Sequence, residues 1–244
     1  MTETTASRAP SPLPPSDTTL SHPRILCLHG GGVTGEIFRL QARALIKHLP
    51  AFRLVFADGP FLCDAGPGII PVYQDHGPFR RWLRWLPEHP PIDDESAIEE
   101  VLYNIQTAKD GDEGTGAWVG LLGFSQGAKL ASSLLYDQQV RVEKEGKAET
   151  EYKFAVLLAG RSPLRGVSLR GREPACVALA DDTCAWFERP GTAFASEDVE
   201  AVSRSRATTV IEWEGTHRVP IKKTDVEPIA DAIYKVAREQ GVDV

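Results

Sequence analysis

The stretch Gly123-Phe124-Ser125-Gln126-Gly127 decides the fold because of what lies on either side of it. Residues 117–122 before it form an apolar run typical of a buried strand, and residues 126–139 after it space their leucines as an amphipathic helix does. A Gly-x-Ser-x-Gly turn between a strand and a helix holds the serine hydroxyl above the edge of a sheet. The five letters alone are weak evidence in a chain with 21 glycines, so the inference depends on the strand and the helix.

Further strands and helices alternate on both sides of this turn. The sequence predicts strands at Arg24–Leu28, Arg53–Ala57, Phe154–Leu158, Ala175–Ala180 and Thr208–Trp213. It predicts helices at Glu36–His48, Asp94–Ala108, Ser196–Ser203 and from a capping box at Thr224–Glu227 to Gln240. Alternating elements with right-handed crossovers give a doubly wound, mostly parallel α/β sheet with helices on both faces.

The domain organisation follows from composition along the chain. Residues 1–23 are rich in Ser, Thr and Pro and are expected to be a disordered tail. They lack the basic start and apolar stretch of a secretory signal, which favours a cytoplasmic protein. Residues 24–244 are expected to form a single catalytic domain. Within it, residues 58–91 form a Pro- and Gly-rich excursion, which is expected to be a lid or a wall of the site.

Overall composition narrows the function classes. The chain has 244 residues, 42% of them apolar and 25% charged, and a net charge of −7. These values exclude a fibre or a wholly disordered chain, and no apolar run is long enough to span a membrane. The acidic balance argues against a nucleic-acid partner. The four cysteines lack zinc-like spacing and are expected to be reduced, so no metal or cofactor is expected.

A serine hydroxyl needs a neighbouring base to act as a nucleophile at neutral pH. The usual order along the chain in this kind of sheet is nucleophile, acid, base. His217 follows the last predicted strand and is therefore the predicted base, whereas His29, in a glycine loop, is expected to be structural. The acid should follow the preceding strand, where Asp181 is preferred to Asp182. Glu188 and Asp198 also stay open as candidates for the acid.

An oxyanion hole needs two backbone N–H groups aimed at the developing charge. The residue after the nucleophile, Gln126, is expected to supply one of them. The second is expected from the glycine loop after the first strand, with Gly31 preferred and Gly32 next.

Several motifs together resemble the eukaryotic FSH family of serine hydrolases, within the α/β-hydrolase superfamily, over residues 24–237. The motifs are Leu26-Cys27-Leu28-His29-Gly30, Asp58-Gly59-Pro60-Phe61, Gly77-Pro78-Phe79-Arg80-Arg81-Trp82, Gly123-Phe124-Ser125-Gln126-Gly127 and Gly215-Thr216-His217-Arg218-Val219-Pro220. The resemblance implies an esterase or thioesterase with a triad of Ser125, Asp181 and His217. Asp58-Gly59-Pro60-Phe61, followed by Gly66-Pro67-Gly68 and Gly77-Pro78-Phe79, looks like the corresponding segments of fungal polyketide-pathway hydrolases that release or trim acyl chains held on a synthase.

Most predictions about the substrate concern the residues of the excursion at 58–91. Its aromatic residues are Phe61, Phe79, Trp82 and Trp85. They are predicted to line an acyl pocket; the alternative is that they pin the excursion to the core. Residues 79–86 space their apolar side chains as one face of a helix. The arginines at 80, 81 and 84 are expected on a solvated face, where an acidic acyl carrier domain is a possible partner.

The predicted function is therefore that of a serine hydrolase that cleaves an acyl ester or thioester through an acyl-enzyme. Two alternatives stay open on the sequence. An acyltransferase or cyclase would use the same three residues, and a non-catalytic binding or scaffold protein would use only the fold.

Overall fold

The computed structural model describes residues 17–160, 209, 211–213 and 217–244. The predicted strand at 175–180 and the predicted helix at 196–203 lie outside these residues. Of the predicted strand at 208–213, residues 209 and 211–213 are described, and they belong to no strand. Ile211 and Trp213 nevertheless pack against the main hydrophobic core.

The central sheet has four described strands, all parallel. They are β1 (Arg24–Leu28), β2 (Arg53–Ala57), β5 (Trp118–Phe124) and β6 (Phe154–Leu158), in the order β2-β1-β5-β6. In the register Leu28 pairs with both Ala57 and Gly123, so the carboxyl ends of three strands meet at one edge. The loops that follow these strands are therefore neighbours, as expected for a site at the edge of such a sheet.

Helices cover both faces of this sheet, as the sequence predicts. Ile25 and Cys27 of β1 pack in a cluster with α1 (Gly35–Gln41), α2 (Arg43–His48) and the C-terminal α5 (Lys223–Glu239). Leu26 and Leu28 pack in a second cluster with α3 (Asp94–Asp110) and α4 (Gln126–Glu145). Successive side chains of a strand point to opposite faces, so one apolar strand serves both clusters. The α/β class with a doubly covered sheet is confirmed.

Three helix bounds differ from the prediction. The helix predicted at 36–48 is divided in two at Ala42. Helix α4 runs to Glu145, six residues beyond its predicted end at 139, and Arg141 Nε donates to Asp137 Oδ2 at 2.9 Å one turn earlier. The predicted capping box is wrong: α5 begins at Lys223, its N-cap Lys222 makes no side-chain cap bond, and the Thr224 hydroxyl donates to Asp225 Oδ1.

The excursion at 58–91 contains an antiparallel hairpin of β3 (Phe61–Cys63) and β4 (Phe79–Arg81), with a short 3₁₀ turn at Gln74–His76 between them. The helical spacing at 79–86 was therefore misleading, because 79–81 is a strand. Gly32 N–H donates to Arg80 O at 2.9 Å, and Gly66 N–H donates to Gly32 O at 2.9 Å. These bonds attach the hairpin to the loop after β1 and favour a fixed wall over a mobile lid.

Residues before the predicted domain boundary at residue 24 already contact the domain. The first described residue, Asp17, forms an ion pair with Arg53 of β2. Arg53 forms ion pairs with Asp17 and with Asp112, and Arg24 also pairs with Asp112. Residues 17–23 of the predicted tail therefore pack on the domain. Within the described residues, no helix is long and apolar enough to cross a bilayer.

Candidate active site

Ser125 lies at a sharp turn between β5 and α4. Its backbone has φ 54° and ψ −112°, a conformation that residues other than glycine rarely adopt. A Cβ at Gly123 would lie 2.3 Å from Gly127 O, and a Cβ at Gly127 would lie 1.9 Å from Leu28 O. Both glycines of the motif are therefore required by close backbone packing. The turn holds the serine side chain at the carboxyl edge of the sheet.

His217 reaches this serine from the far end of the sequence. Its Nε2 lies 2.9 Å from Ser125 Oγ, although the residues are 92 positions apart in the chain. The imidazole ring packs 5.0 Å from the Phe124 ring, which supports its orientation. The structure thus brings together the nucleophile and the base that chain order predicts. The four acid candidates, Asp181, Asp182, Glu188 and Asp198, all lie outside the described residues.

Two backbone N–H groups near Ser125 are candidates for the oxyanion hole. Gln126 is the first residue of α4, so its N–H has no acceptor within the helix. The Gly32 N–H already donates to Arg80 O, which leaves Gly31 as the candidate from the glycine loop. That loop passes close to the nucleophile, because a Cβ at Gly30 would lie 3.4 Å from Ser125 Cβ.

His29 is fully buried and makes two hydrogen bonds with the backbone. Gly59 N–H donates to His29 Nε2 at 2.8 Å, so the ring proton is on Nδ1, which lies 2.6 Å from Gly30 O. Burial lowers the pKa of His29 to about 4. The imidazole is therefore neutral near pH 7. As the sequence predicts, it holds the glycine loop rather than serving as a base.

The side chain of Gln126 makes a connection that the sequence analysis missed. Its Oε1 accepts from the backbone N–H groups of Trp82 at 2.7 Å and Leu83 at 3.1 Å, and its Nε2 donates to Leu83 O at 3.0 Å. Gln126 therefore fixes the segment after β4 to the nucleophile turn. The sequence signal that could have indicated this connection is the long amide side chain directly after the serine.

The predicted aromatic pocket is only partly present. A cavity of about 790 Å³ lies beside the hairpin, and of the four predicted residues only Trp85 lines it. Trp82 is fully buried in the core, where its indole N–H donates to His29 O at 3.0 Å. Phe79 packs beside Val33 and Ile37, and Phe61 lies under the Arg81 guanidinium. Trp82 and Phe79 therefore pin the excursion to the domain, whereas Phe61 contacts Arg81 within the excursion itself.

The three arginines of the excursion do not share a solvated face. Arg81 is only 3% exposed. Arg80 is partly buried and donates to Gly59 O at 3.1 Å, and Arg84 donates to Pro87 O at 2.8 Å. The prediction of an exposed arginine surface is therefore wrong. The hairpin register that buries Arg81 was not visible in the sequence.

The remaining candidates for chemistry are few in the part of the chain that the structure describes. Cys27 and Cys63 are free thiols, and burial raises the pKa of both. No group of three or more His, Cys, Asp or Glu side chains in that part could hold a metal ion.

Comparison with known proteins identifies similar chains. Residues 18–176 match the family described as serine hydrolase (FSH1). The chain is 42% identical to the esterase citA of Monascus ruber, covering 92% of this chain and 96% of that protein. It is also 42% identical to the probable esterase tazC of Aspergillus terreus, covering 90% and 94%. A solved structure, the Bacillus cereus carboxylesterase, matches at a TM-score of 0.49 and 20% identity, covering 89% of this chain and 90% of that one.

Proposed function

Because the chain belongs to the FSH1 family of serine hydrolases and is an ester hydrolase, we propose that it cleaves an acyl ester or thioester through an acyl-enzyme on Ser125. In this proposal His217 is the general base and Asp181 is the acid that orients it. The backbone N–H groups of Gln126 and Gly31 form the oxyanion hole.

The first half of the reaction acylates the enzyme. Ser125 Oγ attacks the substrate carbonyl while its proton passes to His217 Nε2. The carbonyl oxygen becomes an oxyanion that accepts hydrogen bonds from the two backbone N–H groups. The C–O or C–S bond then breaks, and the proton on His217 goes to the departing alcohol or thiol. In the second half, His217 takes a proton from water, the water oxygen attacks the acyl carbon, and the carboxylic acid leaves as Ser125 regains its proton.

The single observation that carries this proposal is the 2.9 Å separation of Ser125 Oγ and His217 Nε2 at a backbone turn with φ 54°. A hydrogen bond between a hydroxyl and an imidazole is the arrangement that activates a serine nucleophile. A strained backbone at the hydroxyl-bearing residue is a further mark of a functional position.

We further propose that the acyl group is of polyketide type and is delivered as a thioester on an acyl carrier domain. Support comes from the resemblance of residues 58–61, 66–68 and 77–79 to the corresponding segments of polyketide-pathway hydrolases. The fixed wall built by the hairpin, and the large cavity beside it, suit an acyl group bulkier than acetyl. N-acetylcysteamine thioesters and ethyl esters of the same acyl groups, compared by kcat/KM, would test the preference. Equal values for acetyl and for bulky aromatic acyl groups would contradict it.

The decisive test of the nucleophile uses a fluorophosphonate probe and intact-mass measurement. We expect one stoichiometric adduct on the wild-type protein and none on Ser125→Ala. Ser132→Ala is the matched control, because Ser132 lies in α4, the helix that follows Ser125, and its hydroxyl donates to the Lys129 carbonyl at 2.8 Å. The control should be labelled like the wild type. Labelling of Ser125→Ala, or the absence of an adduct on the wild-type protein, would contradict the proposal.

A further inference from the structure

His89 contributes a buried imidazole to the cavity beside the hairpin. The residue is only 8% exposed, yet it lines the cavity, so the part of it that remains accessible belongs to the cavity wall. The reaction proposed above gives His89 no role. Ligand sites are usually apolar cavities with a few fixed polar groups, so a buried imidazole in such a wall is a candidate for a substrate contact.

The backbone beside His89 determines which ring nitrogen carries the proton. The N–H groups of Trp85 and Leu86 both donate to His89 Nδ1, at 3.4 and 3.3 Å. A ring nitrogen that accepts hydrogen bonds carries no proton, so the proton of the neutral ring is on Nε2. Burial, together with the nearby Arg81, lowers the pKa of His89 and keeps the ring neutral near pH 7. His89 therefore presents one N–H donor and no charge.

The Nε2 atom of His89 is a donor that a ligand can reach. In the part of the chain that the structure describes, no group accepts a hydrogen bond from it. Unlike the unpartnered Nε and Nη1 atoms of Arg81, it is not shielded from solvent. The Trp85 ring packs on the imidazole, with 4.5 Å between the ring centroids and an angle of 81° between the rings. Because the rest of His89 is buried, Nε2 meets a ligand from the cavity.

The cavity adjoins the loop of the proposed oxyanion hole. A Cβ at Gly31 would lie 2.8 Å from the Trp85 ring, and a Cβ at Gly66 would lie 2.6 Å from Gly31 O. Trp85 and Gly66 both line the cavity. The preceding residue of the loop, Gly30, is the one that passes close to Ser125. The cavity therefore lies next to the backbone that would hold the substrate carbonyl.

The other walls of the cavity suit an uncharged group that carries an oxygen. Trp85, Leu86 and Pro67 supply apolar surface. Asp64 and Glu88 line the cavity as exposed carboxylates, and they repel an anion. A neutral imidazole offers one hydrogen bond, which does not compensate for burying a charge. A ketone oxygen, in contrast, accepts one hydrogen bond and leaves no charge to be neutralised.

We propose that this cavity binds an uncharged oxygen of the substrate's acyl group, such as a ketone carbonyl, and that His89 Nε2–H donates to it. The assignment of the ligand to the acyl group rests on the proposed function, whereas the cavity and its donor do not. Two backbone bonds and the Trp85 ring hold the imidazole before a ligand arrives. His89 is thus a specificity-determining residue that favours oxygen-bearing acyl groups over plain hydrocarbon ones.

The first test measures binding to the wild-type protein by NMR with ¹⁵N-labelled histidine, so that it needs no turnover. The probes are acetophenone and α-methylstyrene, which share a shape and differ in a carbonyl oxygen against a methylene group. In His89→Asn, the shorter amide keeps an acceptor near the N–H groups of Trp85 and Leu86 but does not extend into the cavity. His76→Asn is the matched control, because it makes the same change in the same excursion at a residue that does not line the cavity.

We expect acetophenone to shift the Nε2 signal of His89. The ratio of the two dissociation constants, α-methylstyrene over acetophenone, should fall at least about threefold in His89→Asn, which is the loss of one neutral hydrogen bond. The ratio should stay nearly unchanged in His76→Asn. An unchanged ratio in His89→Asn, or no binding of acetophenone, would overturn the proposal. Benzoate, which has the same shape and a charge, should bind more weakly than acetophenone, and tighter binding would overturn the choice of an uncharged ligand.

The spectrum of the free wild-type protein gives a check that does not depend on the folding of His89→Asn. The signals of His89 can be assigned by elimination from variants of the other histidines. The nitrogen shifts should place the proton on Nε2 and leave Nδ1 bare. A proton on Nδ1 would overturn the proposal, because the cavity would then face an acceptor. His89→Gln, whose longer amide can donate near the Nε2 position, should retain most of the preference for acetophenone.

A substrate comparison then tests whether the ligand is the acyl group. The substrates are N-acetylcysteamine thioesters of one chain length, with a ketone at successive positions or with none. His89→Asn should raise KM for the best keto substrate at least about threefold, and should leave its kcat and the KM of the plain chain within about twofold. Equal effects on all chains would overturn the assignment to the acyl group. Failure of fluorophosphonate labelling, with acetophenone binding retained, would instead contradict the proposed reaction and leave the His89 site standing.

Discussion

Two histidines show how the same side chain takes opposite roles in different surroundings. His29 is fully buried, and backbone groups occupy both of its ring nitrogens. His217 is exposed, and its Nε2 lies 2.9 Å from the Ser125 hydroxyl. A ring whose two nitrogens are both engaged by the backbone cannot accept a proton from a substrate or a nucleophile. Buried hydrogen bonding thus assigns His29 to structure and leaves His217 as the proposed base.

The buried state of His29 predicts a pH dependence of stability. Its pKa is about 4 in the folded protein and near 6.5 in an unfolded chain. The folded state therefore prefers the neutral ring, and this contribution is complete above about pH 6.5 and is lost as the pH falls toward 4. The difference corresponds to about 3 kcal/mol. In urea unfolding, the stability gap between wild type and His29→Gln should be larger at pH 7 than at pH 4.5.

The control for this prediction is His76→Gln. His76 is partly exposed and lies 3.8 Å from Glu36, whereas His29 is fully buried. Its stability gap to the wild type should be small at both values of pH. A gap for His29→Gln that does not change with pH would mean that the ring is not held neutral.

At the scale of elements, the key contact joins the start of α4 to the hairpin. Helix α4 supplies the Gln126 N–H to the proposed oxyanion hole, and the side chain of the same residue holds the backbone of Trp82 and Leu83. The wall of the site is therefore positioned by the residue next to the nucleophile. Moving the wall would require breaking three partly buried hydrogen bonds.

Gln126→Met is expected to lower kcat/KM at least tenfold, because the wall loses its anchor while the backbone N–H remains. Gln138→Met is the matched control: Gln138 lies in the same helix and its side chain also makes three hydrogen bonds, to Thr150 and to both backbone groups of Tyr152. Both variants should have a lower free energy of unfolding, by about 1–3 kcal/mol for each polar group left buried without a partner. Only Gln126→Met should lose activity. Equal activity of the two variants would contradict the anchoring role.

The sequence predicted the strands better than the excursion. Strands β1, β2 and β6 have the predicted bounds, because each is a short apolar run covered on both faces of the sheet. The pairing of 61–63 with 79–81 joins segments separated by a Pro- and Gly-rich loop, and local periodicity carries no information about such a pairing. That register buries Trp82 and Arg81, so the errors about the pocket and the arginine face have one cause.

At the scale of the whole molecule, the proposed site is assembled from distant parts of the chain. The glycine loop follows β1, Ser125 follows β5, and His217 comes from a segment shortly before α5. Parallel strands bring their carboxyl ends to one edge, so the order of motifs in the sequence could predict which residues meet. It preferred Asp181 to Asp182 without deciding between them, because adjacent side chains point in different directions and the order of motifs does not give those directions.

The choice between those carboxylates is the prediction at this scale. We expect Asp181→Asn to lower kcat by a factor on the order of 10²–10⁴, because an amide cannot stabilise the charged imidazole and favours the wrong tautomer. Asp182→Asn is the matched control, with the same chemical change one residue away, and should retain activity within a few-fold. Steady-state kinetics and circular dichroism of both variants would check this. The reverse result would assign the acid to Asp182.

The left-handed backbone at Ser125 has a consequence for laboratory evolution. Glycine adopts such a conformation without strain, so a library screened only for heat tolerance or soluble yield should enrich glycine at position 125. The variants selected by that screen would be more stable proteins that lack the proposed nucleophile. A selection scheme for this chain therefore has to measure turnover in every round, because stability and the proposed catalytic role favour different residues at position 125.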